Sequence, residues 1–348
     1  MKPKLRFSNF INDYEIKDLS DITSNISSGK ISKQLEDGEY NVYGSMGIIG
    51  KSNFYDYVGE KVLVARVGAN AGSVNKINEK CCISDNTLVL EPKDILNDYL
   101  YYALSHYNPK KLIFGSGQPL VTGGQLKKIK LGIPSKEEQI KVSNFLSLLD
   151  KKIELQSKKI EDLKLFKLCL MKEIFTSKNA NTLIKIKDVA KIEKGKQVNG
   201  DQLLEQGNYY MLNGGINPSG YLNEYNRNEN TITISEGGNS CGYVSFNKSK
   251  FWCGGHCYSI LPDNINNEYL YQILKYNEKS IMDLRVGSGL PNIQKKDIEN
   301  FCLNIHNNKE QSDIAMKLSK YDYKIELEEK YLIKLQSLKK GLMQNMFV

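Results

Sequence analysis

The chain has 348 residues, 40% of them hydrophobic and 25% charged, and its 48 Lys and Arg against 40 Asp and Glu give a net charge of +8. That length is too great for one ordinary core and predicts two or more domains, while the lack of any apolar run of about 18 residues argues against a transmembrane helix. Seven scattered Cys and no apolar core near Met1 are expected of a cytoplasmic chain without disulfides or a secretory signal; the mild basic excess suits a polyanionic partner without specifying one.

The first globular unit is expected over residues 1–134. Residues 62–65 are β-branched and apolar, residues 82–90 read as a further strand, and residues 97–106 read as a helix with one apolar side. A loop with Gly115, Ser116, Gly117, Gln118 and Pro119 precedes a short strand at 131–133. From Ser135 to Lys178 no Pro or Gly interrupts the chain. Apolar residues recur in steps of mostly three or four at Val142, Phe145, Leu149, Ile153, Ile160, Leu163, Phe166, Leu170 and Ile174, the spacing of a coiled-coil seam. Ser135 with Glu138 predicts a capping box, and about 40 residues make a rod of roughly 60 Å. Leu146, Leu148, Leu165, Leu168 and Met171 lie off that seam, which suggests a further partner surface. A second globular unit follows at 179–306, with strands at 231–234, 257–261 and 303–305 and a helix at 267–276. A second long helix fills 307–348.

The second half repeats the first. At an offset of 172, Glu138 and Gln139 become Glu310 and Gln311, and Leu149, Ile153, Ile160, Leu163, Phe166 and Leu170 become Tyr321, Ile325, Leu332, Leu335, Leu338 and Leu342. The polar seam position repeats as Gln156 and Glu328, a feature that sets register. At an offset of 170, residues 61–75 lie over 231–245 and pair Gly68 with Gly238 and Gly72 with Gly242. Gly115, Ser116, Gly117 and Pro119 lie over Gly287, Ser288, Gly289 and Pro291. The fold class is therefore α+β, with two tandem-duplicated α/β domains separated by two long helices. A two-fold relation between the copies would set the helices antiparallel and match the two-folds of double-stranded DNA, as symmetric dimers do. The copies differ in their loops, Arg66 lying over Glu236 and Asn86 over His256, so two unlike half-sites would be read.

These features resemble the specificity subunits of type I restriction-modification systems over nearly the whole chain. The resemblance rests on the tandem layout, the opening 2–7, the segment 62–72, the loop ending in Pro119, the run Ile133, Pro134, Glu137, Glu138, Gln139 into the helix, and the closing Leu342, Met343, Met346 and Phe347. His306 stands where the first copy has Pro134, which puts the shape of that joint in question. The resemblance implies two target recognition domains, spacer helices that dock two methyltransferase subunits, and possible restriction subunits. It places S-adenosylmethionine in the methyltransferase subunits, and ATP and magnesium in the restriction subunit, with no cofactor in this chain.

Readout of that kind needs Lys and Arg for phosphates and loop side chains for base edges. Candidates are Arg66, Asn70, Lys76, Ser116 and Gln118 in the first copy, and Glu236, Asn239, Ser240, Ser288 and Asn292 in the second. Arg66 suits guanine, Asn70 and Gln118 suit adenine, and Glu236 suits the cytosine amino group; the competing reading is that these residues cap Gly turns. Cys241, Cys253, His256 and Cys257 have zinc-ligand chemistry. The first copy carries Ala71, Ile83, Asn86 and Thr87 there, so no metal is expected. Neither Gly-Ser-Gly loop has a phosphate-loop pattern and no methyltransferase tetrapeptide is present. A specificity protein whose partner fuses nuclease and methylase, a nuclease or methyltransferase with an unrecognised site, and a protein-binding coiled-coil adaptor are the alternatives.

Overall fold

The computed structural model describes residues 1–31, 35–44, 47–113, 118–287, 289 and 291–348. The chain divides into two compact units, residues 1–156 with 331–348, and residues 157–330. Each unit therefore holds one globular domain, the first part of the helix that leaves it and part of the other long helix.

In the first unit a four-stranded antiparallel sheet runs in the order Thr23–Ser28, Thr87–Pro92, Glu60–Ala65, Val74–Asn78. The central strand Glu60–Ala65 is apolar on consecutive residues because both its faces are covered. Val62 and Val64 face a core built on the helix Asn97–Tyr107, where Tyr99, Leu100 and Leu104 are fully buried. Leu63 and Val89 face a second core with Ile77, Cys81 and Ile83. That side is closed by a three-stranded sheet in which Tyr40–Gly44 pairs antiparallel with Gly47–Ser52 and parallel with Cys81–Ile83. The single strand expected over 82–90 is two strands. The Thr87 amide turns back to the Ser84 carbonyl at 3.0 Å, so Cys81–Ile83 joins one sheet and Thr87–Pro92 the other.

The second unit repeats this plan. Its four-stranded sheet has the order Ala190–Lys194, Cys257–Pro262, Thr231–Ser235, Val244–Asn247, and its three-stranded sheet the order Gly220–Leu222, Tyr209–Leu212, Trp252–Cys253. Ile232 and Ile234 face the core under the helix Asn267–Tyr276. In both units a two-stranded ribbon leads into the long helix, Glu15–Asp18 with Lys130–Ile133 and Thr182–Lys185 with Cys302–Ile305.

The long helices are Lys136–Phe175 and Asn308–Met346. At the first start, Ser135 Oγ accepts from the Glu138 amide at 3.3 Å, half of the expected capping box. The other half is missing because the Glu138 carboxylate accepts instead from Arg6 at 2.8 and 2.7 Å and from Tyr14 at 3.1 Å. One residue on, Gln139 ties the helix to its domain. Its amide group donates to the Pro134 carbonyl at 3.0 Å and accepts from the Leu96 amide, at the start of the domain's own helix, at 3.0 Å. Gln311 does the same to His306 at 2.9 Å and Asn266 at 3.2 Å. His306 keeps that joint intact although it is not Pro: its amide donates to Tyr269 Oη at 3.0 Å, and its Nδ1 lies 2.8 Å from the same oxygen.

Within each unit the helical segments run antiparallel. In the second, Lys159 pairs with Glu328 and Lys167 with Asp322, so numbers fall along one helix as they rise along the other. In the first, Lys339 pairs with Asp150 and Lys152 lies over the ring of Tyr331 at 5.6 Å, with the same opposed order. One row of shielded residues alternates in steps of four and three through Val142, Leu146, Leu149, Ile153, Gln156, Ile160, Leu163, Lys167, Leu170 and Ile174, and the same positions 172 later, Lys339 included, with Ser143, Met171 and Phe175 buried beside it. The period predicts Phe166 and Leu338 on this face, and both are 53% exposed, although the Phe166 ring still lies against Tyr321 of the opposing helix with centroids 5.3 Å apart. The lysines hold those places because each ammonium meets an aspartate of the opposing helix while its alkyl stem fills the seam. Phe145 is likewise displaced by Leu146 and rests against Phe7. Leu146 and Met171, expected to face a partner, are buried in the cores of their own units, whereas Leu148, Leu165 and Leu168 are exposed. Among the described residues no helix is long and apolar enough to cross a membrane.

Candidate nucleic-acid interface

Two loops distant in sequence meet at the end of the central strand of each unit. In the first, the Gly68 amide donates to the Pro119 carbonyl at 3.0 Å and the Val121 amide to the Arg66 carbonyl at 2.8 Å, with a bridge between Val67 and Leu120. In the second, Gly238 donates to Pro291 at 3.0 Å and Ile293 to Glu236 at 2.9 Å, with a bridge between Gly237 and Asn292. The turn itself needs glycine. Gly72 and Gly242 have φ of +80° and +88°, and a Cβ there would stand 2.5 Å from the Lys110 amide nitrogen and 2.7 Å from Met282 Cα. So tight a turn leaves Asn70 and Asn239 accessible on a rigid base while Ala71 and Cys241 face inward.

Arg66, Asn70 and Gln118 belong to this junction in the first unit. Arg66 is half-buried, its amide bonded to the Asn86 carbonyl at 2.9 Å, and its guanidinium makes no ion pair among the described residues. Gln118 is exposed and Asn70 half-buried. Lys76 is not part of the junction. It pairs with Asp98 and lies over the rings of Tyr101 and Tyr102, 5.3 and 5.5 Å from their centroids, against the helix. In the second unit Asn239 is exposed, Ser240 half-buried, and Asn292 exchanges backbone bonds with Val286 at 2.9 and 3.0 Å. Ser116 and Ser288 lie outside the described residues.

Glu236 differs from its sequence reading. Its side chain is buried, with Oε1 accepting from Lys194 at 2.6 Å and from Tyr258 at 2.8 Å. Burial and this carboxylate push the Tyr258 hydroxyl up, so it stays a donor. A carboxylate so enclosed cannot reach a cytosine edge. The residue that reasoning from the sequence passed over is His256, whose side chain is 61% exposed beside it. The signal was present: His256 lay over Asn86 in the internal alignment, next to the Arg66 and Glu236 pair.

The thiols do not form a ligand set. Cys241, Cys253 and Cys257 are buried, Cys257 Sγ accepts from the Gly214 amide at 3.1 Å, and its thiol is pushed up by the adjoining Cys253 sulfur and by burial. Among the described residues no group of three His, Cys, Asp or Glu is placed to hold a metal.

A family model described as the type I restriction modification DNA specificity domain matches residues 11–165 and again residues 180–337. A Mycoplasma pneumoniae protein bearing the name type I specificity subunit is 33% identical over 156 residues, which are 44% of this chain and 40% of that one. That match spans less than half the relative's length. A Mycoplasma genitalium protein of the same name is 26% identical over 310 residues, 81% of this chain and 80% of its own. The crystal structure of a type I restriction-modification S subunit from M. genitalium shares the fold, with a TM-score of 0.76 at 20% identity over 100% of this chain and 99% of that one.

Proposed function

The chain belongs to the type I restriction modification DNA specificity family, and from that premise we propose that it reads a bipartite double-stranded DNA target, one half-site per globular domain, for partner subunits that carry out the chemistry. The observation that carries the reading is the duplicated junction of Gly turn and Pro loop, identical in backbone bonding and different in side chains. One scaffold with two unlike sets of reading residues is what an asymmetric split target requires. Lys and Arg around each junction would neutralise phosphates and make affinity fall with salt.

In this reading the long helices are antiparallel coiled-coil spacers related by a pseudo-two-fold, and they hold the half-sites at a set separation. The exposed Leu148, Leu165 and Leu168 support a docking role for them, with two methyltransferase subunits as occupants. S-adenosylmethionine belongs to those subunits, and ATP and magnesium to restriction subunits where these are present. The test is co-expression with the methyltransferase in a methylation-free bacterial host, followed by mapping of N6-methyladenine. A motif of two short unlike half-sites around a constant gap is the expected result. A continuous single motif, or no methylation from an active complex, would overturn the reading.

A further inference from the structure

The two junctions place opposite charges at one backbone position. Arg66 and Glu236 occupy it, and each donates its amide to the residue across the sheet, Asn86 in one case and His256 in the other, at 2.9 Å. In the second domain the carboxylate faces inward. Its Oε1 has two donors, whereas Oε2 is buried without a hydrogen bond and lies 3.8 Å from His256 Nδ1. A buried carboxylate oxygen with no donor is costly and draws the nearest available proton.

The backbone of His256 is held on both sides. Its amide donates to Asn213 Oδ1 at 3.1 Å and its carbonyl accepts from Glu236 at 2.9 Å. Gly214, at φ +85°, packs so closely that a Cβ there would stand 3.1 Å from His256 Cβ. The ring is thus presented from a rigid stem with most of its surface open.

We propose that His256 is a base-reading residue of the second domain and that Glu236 is its positioning residue. The inference rests on the DNA-specificity reading given above. A small rotation of the ring brings Nδ1–H onto Glu236 Oε2 and selects that tautomer, as carboxylates do for histidines elsewhere. Nε2 is then the outer edge and an acceptor, suited to the exocyclic amino group of adenine or cytosine in the major groove. In the first domain the reading side chain is the other member of the bonded pair, with Arg66, the counterpart of Glu236, as a donor suited to guanine N7 and O6. The pair Arg66 and Asn86 in one copy, Glu236 and His256 in the other, is therefore a switch point for specificity, set to donor in one copy and acceptor in the other.

The experiment uses the full chain in complex with its methyltransferase and maps methylation for His256→Ala, His256→Asn and Glu236→Gln. Asn is the residue the first domain carries at this place, so the turn accommodates it. Base preference at one position of one half-site should fall about tenfold in both His256 variants and several-fold in Glu236→Gln, a loss equal to about one good base contact. The other half-site, unchanged, reports that the complex is folded and active. A motif identical to wild type in both His256 variants, or equal relaxation of both half-sites, would overturn the inference. Absence of a split motif in the wild type would instead overturn the underlying reading, so the two failures are distinguishable.

Discussion

The two domains share a plan but not the chemistry of the layer between their sheets. In the first, Leu63, Ile77 and Val89 make that layer apolar. At an offset of 170 the second places Thr233, Asn247 and Ser259. Asn247 donates to the Thr231 carbonyl at 2.9 Å and to Thr233 Oγ1 at 3.0 Å, and accepts from Tyr210 at 2.9 Å. Arg227, which replaces Tyr57, donates to Ser259 Oγ at 2.7 Å and pairs with Glu193 at 3.1 Å. The opposite face of the same sheet stayed apolar in both copies. The change is partial, since Phe251 and Cys253 keep an apolar side where the first domain has Cys81 and Ile83. Part of a layer can thus pass from dispersion to hydrogen bonding when the members of that part change together, since a half-satisfied network is worse than either.

The largest effect should come from a related contrast at the helix starts. Glu138 is buried and held by Arg6, whereas its counterpart Glu310 is only half-buried and bonded to the exposed Asn179 and Asn307. Arg6→Ala leaves a buried carboxylate uncompensated and is expected to cost about 3–5 kcal/mol in denaturant unfolding, against less than about 0.5 kcal/mol for Asn179→Ala. Next comes Asn247→Ile, which puts the first domain's residue into the second and strands three partners; about 2–3 kcal/mol should be lost. The quadruple change Thr233→Leu, Asn247→Ile, Ser259→Val and Arg227→Tyr should recover most of that loss. Additive destabilisation in its place would show that the layers are not interchangeable.

A smaller difference separates the joints. Burial holds the His306 imidazole below its ordinary value of 6.5, against a partial upward pull from Glu310. As pH falls through that value the unfolded chain binds a proton that the folded chain refuses, so stability is lost on acidification. His306→Gln should flatten the fall in Tm between about pH 7 and pH 5, and an unchanged slope would assign it to other groups such as His106, also lowered by burial. Smallest of all, Leu338→Ser should change stability by less than about 0.5 kcal/mol, while Ile160→Ser in the seam costs several times more.

Duplication makes most of the architecture legible in the sequence itself. Strands such as Glu60–Ala65, buried on both faces, announce themselves by continuous apolar residues, and the long helices by their period. What escaped was chemistry decided by distant partners. Lys167 looks like a solvent residue until Asp322 is placed opposite it, and Phe166 beside it looks like the seam. Glu236 looked available because nothing local reveals Tyr258 and Lys194 closing over it. The break between Ile83 and Thr87 was hidden because both flanks are apolar and only their sheet partners differ.

The buried glutamines at the helix starts have a consequence in time. The first turn of a helix ordinarily frays fastest, because its amides lack partners within the helix. Gln139 and Gln311 each bond a carbonyl just ahead of the long helix and an amide at the start of the domain's own helix. Opening that turn therefore means opening the domain as well. Amide exchange at Leu96 and Asn266 should be as slow as in the core strands, and the starts of both rods should be among the last places to open.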